Sequence, residues 1–422
     1  MNASGSGYCL YMRCFWLYLI LSFMMCSGLI ACNELEARDQ AYAGRDALKA
    51  CDFHHAYLHF SDAYPSLKER KSVSLGYAFS NLLDILNSES FSGILKRLGV
   101  SSTIEDYCLQ HINQTNPDDT EDDTDRCATG GKSIRSMKWP YPCDDFEHCD
   151  YIAYIDKSLE WHEIIETVSD NRWELLRSSY IITDVANHMK EPYVIEDVLG
   201  VKRLTIQRSD LYLFSAMVKL LVFASDVAAV YENRFSVSES LDDRNCRNQM
   251  DILNRYIGIA AELPDVSDSI IVFTDMMADI ENAFVNARLL RDEYDNDTSQ
   301  KCGNSVSIFN WVEVPYGVMD NIISVASAFK QDPVVISDVF SPDLRIDLSG
   351  LLQHLPVRTS EEPVVSCGDN GLEAAYGIYI KYFNDYVNPP LFEPDTEHFD
   401  LHHDINYRLS SGWRKWTVLD LF

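Results

Sequence analysis

The sequence predicts an all-α protein: helical hairpins that continue into a multi-helix array or bundle, interrupted by a disulfide-clipped acidic insertion. Three observations predict it. Apolar residues recur at spacings of three and four over most of the chain, the period of one helix face. Six or more such stretches run for roughly 14–25 residues each, while period-two alternation is almost absent. Residues 100–150 break the pattern with Cys108, Cys127, Cys143, Cys149 and the polar, acidic run 116–125.

At the N-terminus an apolar stretch, 15–25, follows one basic side chain, Arg13, and leads to Leu29-Ile30-Ala31-Cys32. A basic flank, a short apolar run and a small residue before the cut describe a secretory signal over residues 1–31. The tetrad resembles the lipobox of bacterial lipoproteins, in which the cysteine is lipidated and becomes the mature N-terminus. That resemblance implies lipid on Cys32. In those lipoproteins an Asp after the cysteine favours inner-membrane retention, so Asn33 leans the expected address toward the outer membrane, periplasmic or surface face. An ordinary signal cleaved elsewhere and an uncleaved anchor over 14–31 fit the same stretch.

Cleavage would remove Cys9, Cys14 and Cys26, and lipid would occupy Cys32. The even remainder is Cys51, Cys108, Cys127, Cys143, Cys149, Cys246, Cys302 and Cys367, which suits structural disulfides in an oxidising compartment. Short loops close at low entropic cost, which favours Cys143–Cys149 and Cys108–Cys127. No C-x-x-C is present to hold zinc or run redox exchange.

Residues 35–99 read as helix, turn, helix, turn, helix. Leu35, Ala41, Tyr42 and Leu48 form the first apolar series, Ala56, Tyr57, Phe60, Ala63 and Tyr64 the second, and Leu75, Ala78, Phe79, Leu82, Leu83 and Leu86 the third. Cys51-Asp52 and Tyr64-Pro65 mark the breaks. The segment resembles a tetratricopeptide repeat. Gly44 stands where two helices cross closely; Ala56, Phe60 and Ala63 follow at twelve, sixteen and nineteen, and Leu75-Gly76 looks like the same position in a following repeat. Small residues let helices approach and an aromatic fills the gap beside them. Ala43 and Ala47 depart from the larger side chains usual in such a first helix, Pro65 comes early, and Gly44 to Gly76 is 32 residues rather than about 34. The resemblance implies a concave groove lined by Arg38, Arg45 and Lys49, then by Arg70, Tyr77 and Asn81. Such a groove would grip carboxylates of a protein partner. A plain helical hairpin with a solvated basic face is the other reading.

Helical patterns return over 151–168, 172–189, 209–231, 249–263, 269–294 and 315–329. The 209–231 stretch is the most apolar, with Ser209 or Asp210 as N-cap; Lys219 and Asp226 interrupt it, which favours a central buried helix over a membrane span. Residues 334–340 and 344–348 read as short strands or extended packing segments, and the aromatics of 371–386 as one more helix. The expected organisation is 1–31 signal, 32–99 repeat-like helices, 100–150 insertion, 151–386 helical body and 387–422 C-terminal strap.

Composition narrows the function. The 422 residues carry 35 Lys+Arg against 65 Asp+Glu, a net charge of -30, which repels nucleic acid; 46% apolar content excludes a wholly disordered acidic chain. Asp118, Asp119, Glu121, Asp122, Asp123 and Asp125 are dense enough to attract calcium, but no Gly supplies the turn of a calcium loop, so a solvated acidic loop is expected. His55 and His59 share a helix face beside His54, and His398, His402 and His403 cluster near the C-terminus. Neither group forms H-E-x-x-H, and both read as surface histidines. The chain lacks G-x-S-x-G, a P-loop and G-x-G-x-x-G; Gly130-Gly131-Lys132-Ser133 lies in the insertion and reads as a turn. The expectation is therefore an envelope lipoprotein that is not an enzyme, needs no cofactor and serves as a protein-interaction scaffold. A helical lipoprotein that binds a small molecule or glycan for a transporter is the alternative, and would show a pocket lined by Trp or Tyr. A hydrolase with sequence-distant carboxylates would show them converging in a deep cleft.

Overall fold

The computed structural model describes residues 34–100, 151–198, 201–230, 267–296, 314–331 and 344–353, with short stretches at 105–106, 108–109, 236–238, 306–307, 309, 311, 333–336 and 385–388. About 80% of this is helical, in ten helices, as the apolar periodicity predicts. The chain divides into two compact units, Met1–Asn81 and Leu82–Phe422. The division falls inside a helix rather than at residue 99.

The first unit is a helical hairpin followed by a third helix. Helix α1 spans residues 34–49, α2 Phe53–Leu67 and α3 Lys71–Asn87. α1 ends as a left-handed cap: Cys51 has φ 60°, its N–H donates to Leu48 O (3.1 Å), and that of Asp52 donates to Ala47 O (3.0 Å). Asp52 then caps α2, accepting from the His55 N–H at 3.1 Å. Pro65 does not end α2, contrary to the expected break at Tyr64-Pro65. Only the last turn follows it, and that turn is held by buried Leu67 and by the Tyr64 ring stacked 4.8 Å from Tyr77. The buried core of the unit includes Phe53, Ala56, Phe60, Ala63 and Tyr77, and Phe60 sits where the helices come closest. A Cβ at Gly44 would stand 2.8 Å from its ring, and one at Gly76 closer still, so both helices approach over glycine.

In the second unit α4 (Glu89–Arg97) and a 3₁₀ turn (Tyr151–Tyr154) precede α5 (Trp161–Asp170), α6 (Arg172–His188), α7 (Arg208–Ala228) and α8 (Ser267–Asn296). The expected single helix over 151–168 is thus broken. α9 (Tyr316–Ala328) and α10 (Leu348–Gln353) complete the series. α7 is the hub and packs against α5, α6 and α8, while α8 also packs against α9. By length and composition alone α7 is apolar enough to cross a membrane. Its polar side chains turn inward, with Ser215 and Lys219 buried, while Met217, Leu220 and Leu221 are exposed. Its N-cap is Gln207, not Ser209 or Asp210; Asp210 occupies the third helical position of a capping box.

Two small sheets flank the helices. β1 (Tyr193–Val198) and β2 (Val201–Ile206) form an antiparallel hairpin that the sequence reading missed, and β3 (Val306–Ser307) joins β2 in parallel. β4 (Val334–Ile336) pairs antiparallel with β5 (Leu344–Ile346), and β5 with β6 (Val387–Asn388), so the extended segments near 334 and 344 are strands.

The disulfide among the described residues joins Cys51 and Cys108, both buried, which corrects the expected Cys108–Cys127 pair. Closure entropy changes only by about 0.6 kcal/mol per doubling of loop length, so the fold that brings two cysteines together outweighs their spacing.

Candidate functional site

The predicted groove residues separate into two groups. Arg38, Arg45 and Arg70 are exposed and Lys49 half-buried, whereas Tyr77 and Asn81 are 1% and 3% exposed. Tyr77 lies between the rings of Tyr57 (5.7 Å) and Tyr64 (4.8 Å), as part of the core. Tyr77 and Asn81 therefore line no groove. The aromatic spacing Tyr57, Tyr64, Tyr77 was the sequence signal for a shared interior.

Arg38 and Arg70 converge on one carboxylate. Each donates from Nη2 to Glu34 Oε1, at 2.7 and 3.3 Å. The hydrogen bond and charge of Arg38, with Arg70 beyond, hold the Glu34 carboxyl below its ordinary value against a small opposing effect of burial. No ion pair engages Arg45 or Lys49 among the described residues.

α1 buries Ala37 and Gly44 and presents the opposite face to solvent. On that outer face Leu35 and Tyr42 are 62% and 67% exposed, seven residues apart, with Arg38, Arg45 and Lys49 on the same three–four spacing. The apolar series that includes Leu35 and Tyr42 suggests core positions; the structure puts them outside. The missed signal was Ala37 and Gly44, also seven apart: both are buried, and Gly44 lets α1 sit close on Phe60. The site is thus an apolar ridge flanked by the basic Arg38 and Arg45 and by the acidic Asp39 and Asp46.

Two carboxylates of the second unit, Asp279 and Asp210, are buried. Lys219 Nζ donates to Asp279 Oδ2 (2.6 Å) and to Thr183 Oγ1 (3.4 Å), and lies 4.6 Å from the Tyr180 ring centroid. Thr183 also donates to Asp279 (2.9 Å), and Ser215 donates to Ser179 O (3.0 Å). The three ammonium protons thus meet a carboxylate, a hydroxyl and an aromatic face. Further along, Arg172 grips Asp226 through Nε and Nη2 at 3.0 Å each, and Ser269 donates to the same carboxylate (3.1 Å). This ladder links α6, α7 and α8. Burial pushes the Asp210 carboxyl up to about 7, against donation from the backbone of Gln207 (2.7 Å), Trp311 Nε1 (2.6 Å) and the Phe309 backbone. It too is enclosed, with Trp311 set edge-on to Phe284 and Phe309.

A shallow depression of about 330 Å³ at the end of α9 is lined by Ile323, Ser324, Ser327, Ala328, Gln331 and Val335, without Trp or Tyr. His55 bonds Asp52 through Nδ1 (2.8 Å) and His59 Nδ1 lies 2.7 Å from Gln40 Oε1; no metal-ligand cluster occurs among the described residues. Cys32, the acidic run 118–125 and the histidines near 400 lie outside the described residues. No protein-family model, curated protein or solved structure matches this chain.

Proposed function

We propose that this protein is a lipid-anchored envelope scaffold: Cys32 carries the lipid, the repeat-like helices follow it directly, and the outer face of α1 receives a protein partner. The observation that carries this reading is the exposed ridge Leu35–Tyr42 beside Arg38, Arg45 and Lys49. Large apolar side chains beside cations are what a carboxylate-bearing protein surface recognises. The Phe60 ring held against Gly44 and Gly76 supports the repeat-like packing that presents α1 outward. Asn33 after the anchor favours the outer membrane.

Affinity capture of the mature chain from its native envelope tests the scaffold. A reproducible partner lost on Tyr42→Ala with Arg45→Glu, at unchanged helicity, is the expected result; capture unaffected by both changes overturns it. Metabolic lipid labelling tests the anchor separately. Labelling must vanish in Cys32→Ala, and undiminished labelling removes that part of the reading.

A further inference from the structure

The charges that flank the α1 ridge are not alike on its two sides. Arg38 and Arg45 follow Leu35 and Tyr42 by three residues, and Asp39 and Asp46 follow them by four. At about 100° per residue the basic pair lies about 60° to one side of the ridge and the acidic pair about 40° to the other. All four are exposed, and among the described residues Asp39, Arg45 and Asp46 have no ion-pair partner. Arg38 shares Glu34 with Arg70 and keeps further N–H donors free.

From this pattern we infer that the partner of the α1 face is a second copy of this chain, with the two α1 helices side by side and parallel. The inference rests on the scaffold reading and names the occupant of its surface. A two-fold axis parallel to the helices sets Leu35 and Tyr42, and the half-buried Lys49 at the C-terminal end of α1, against themselves. It brings the basic flank of each copy against the acidic flank of the other: Arg38 opposite Asp39, and Arg45 opposite Asp46. An antiparallel pair would set basic against basic and acidic against acidic, which is repulsive. The flanks therefore select both partner and direction. A foreign acidic helix would be drawn to Arg38 and Arg45 but repelled by Asp39 and Asp46. The parallel arrangement also suits the anchor, because α1 begins two residues after Cys32. Two parallel copies start at the same membrane surface, whereas an antiparallel copy would start about 24 Å away at 1.5 Å per residue over the helix. A helix pair this short is weak in dilute solution, and confinement to one leaflet raises its effective concentration.

The test is charge exchange between two differently tagged full chains produced in the same envelope. The wild-type chains should capture each other. R38D/R45D alone and D39R/D46R alone should each reduce capture about tenfold, since several exposed pairs turn repulsive together. Mixing one chain of each kind should restore capture to within about threefold of wild type. Tyr42→Glu, a single change at an exposed ridge position, should abolish capture without touching the flanks. A mixed pair that captures no better than either variant with itself overturns the inference, as does wild-type capture insensitive to Tyr42→Glu. Binding of a different envelope protein that depends on the same side chains, with no self-capture, keeps the scaffold and removes the self-pairing. Labelling that is absent from the wild-type chain, or undiminished in Cys32→Ala, removes the anchor alone; the charge exchange is then read on purified chains by sedimentation.

Discussion

Lys219 Nζ lies 2.6 Å from Asp279 Oδ2, with both side chains almost wholly withdrawn from water, at 1% and 3% exposure. The attraction in such a pair is largely cancelled by the cost of dehydrating both ions. Removing one partner is another matter. Lys219→Met or Asp279→Leu alone should cost about 3–5 kcal/mol, because each leaves a buried charge unpaired. The double variant should recover most of that loss. Urea unfolding of the three variants checks it, and a double variant as unstable as the sum of the singles would contradict it.

Asp210 supplies a pH dependence of defined sign. Its folded value is raised to about 7 by burial, above the ~3.9 of an exposed Asp. Between these values the folded state binds more protons than the unfolded chain, so this group's contribution to stability falls as pH rises from about 4 to 7 and is level above. The melting temperature should drop from pH 5 to pH 8, and the drop should be smaller in Asp210→Asn. Trp311, hydrogen-bonded to Asp210, should change its fluorescence over the same interval in the wild type only.

Glycine at 44 and 76 is demanded by contact, not by backbone angle. Gly44→Ala and Gly76→Ala should each destabilise the protein by about 1–3 kcal/mol through overpacking against Phe60, despite alanine's better helix propensity. Phe60→Ala should cost about 3–5 kcal/mol. Combining Phe60→Leu with Gly76→Ala should cost less than the two changes summed, since the smaller side chain makes room. Thermal unfolding distinguishes these outcomes.

Peptide mapping under non-reducing conditions should find Cys51 linked to Cys108. Cys51→Ser should lower stability by about 2–4 kcal/mol, the usual worth of a disulfide that closes a long loop. A Cys108–Cys127 peptide would contradict the structure.

The helical class, and the positions of α6, α8 and α9, were legible because long stretches at a three–four period admit little else. The approach of Gly44 and Gly76 to an aromatic at position 60 was legible too, because the spacing of Gly44, Ala56, Phe60 and Ala63 resembles that of a repeat whose small residues let helices cross over a large side chain. The β1–β2 hairpin was not. Apolar and charged residues mix on both strands, and no clean alternation announces it. The proposed α1 surface was half legible. The resemblance to a tetratricopeptide repeat singles out Arg38, Arg45 and Lys49, but which apolar residues of α1 face inward depends on where the close contacts fall, and those involve residues far along the chain. Tyr77 illustrates the same limit, since only its neighbours Tyr57 and Tyr64 draw it inside.

The inward-facing polar side chains of α7 make the alignment of three helices all-or-none. A slip of one turn, about 5.4 Å, would carry Lys219 away from Asp279 and Asp226 away from Arg172 at once, stranding four buried or half-buried charges. Apolar contacts alone would tolerate such sliding, because one leucine resembles the next. The ladder thus works as an index mark along the bundle axis. It adds little to how tightly the helices hold, and it dictates the single position in which they can hold.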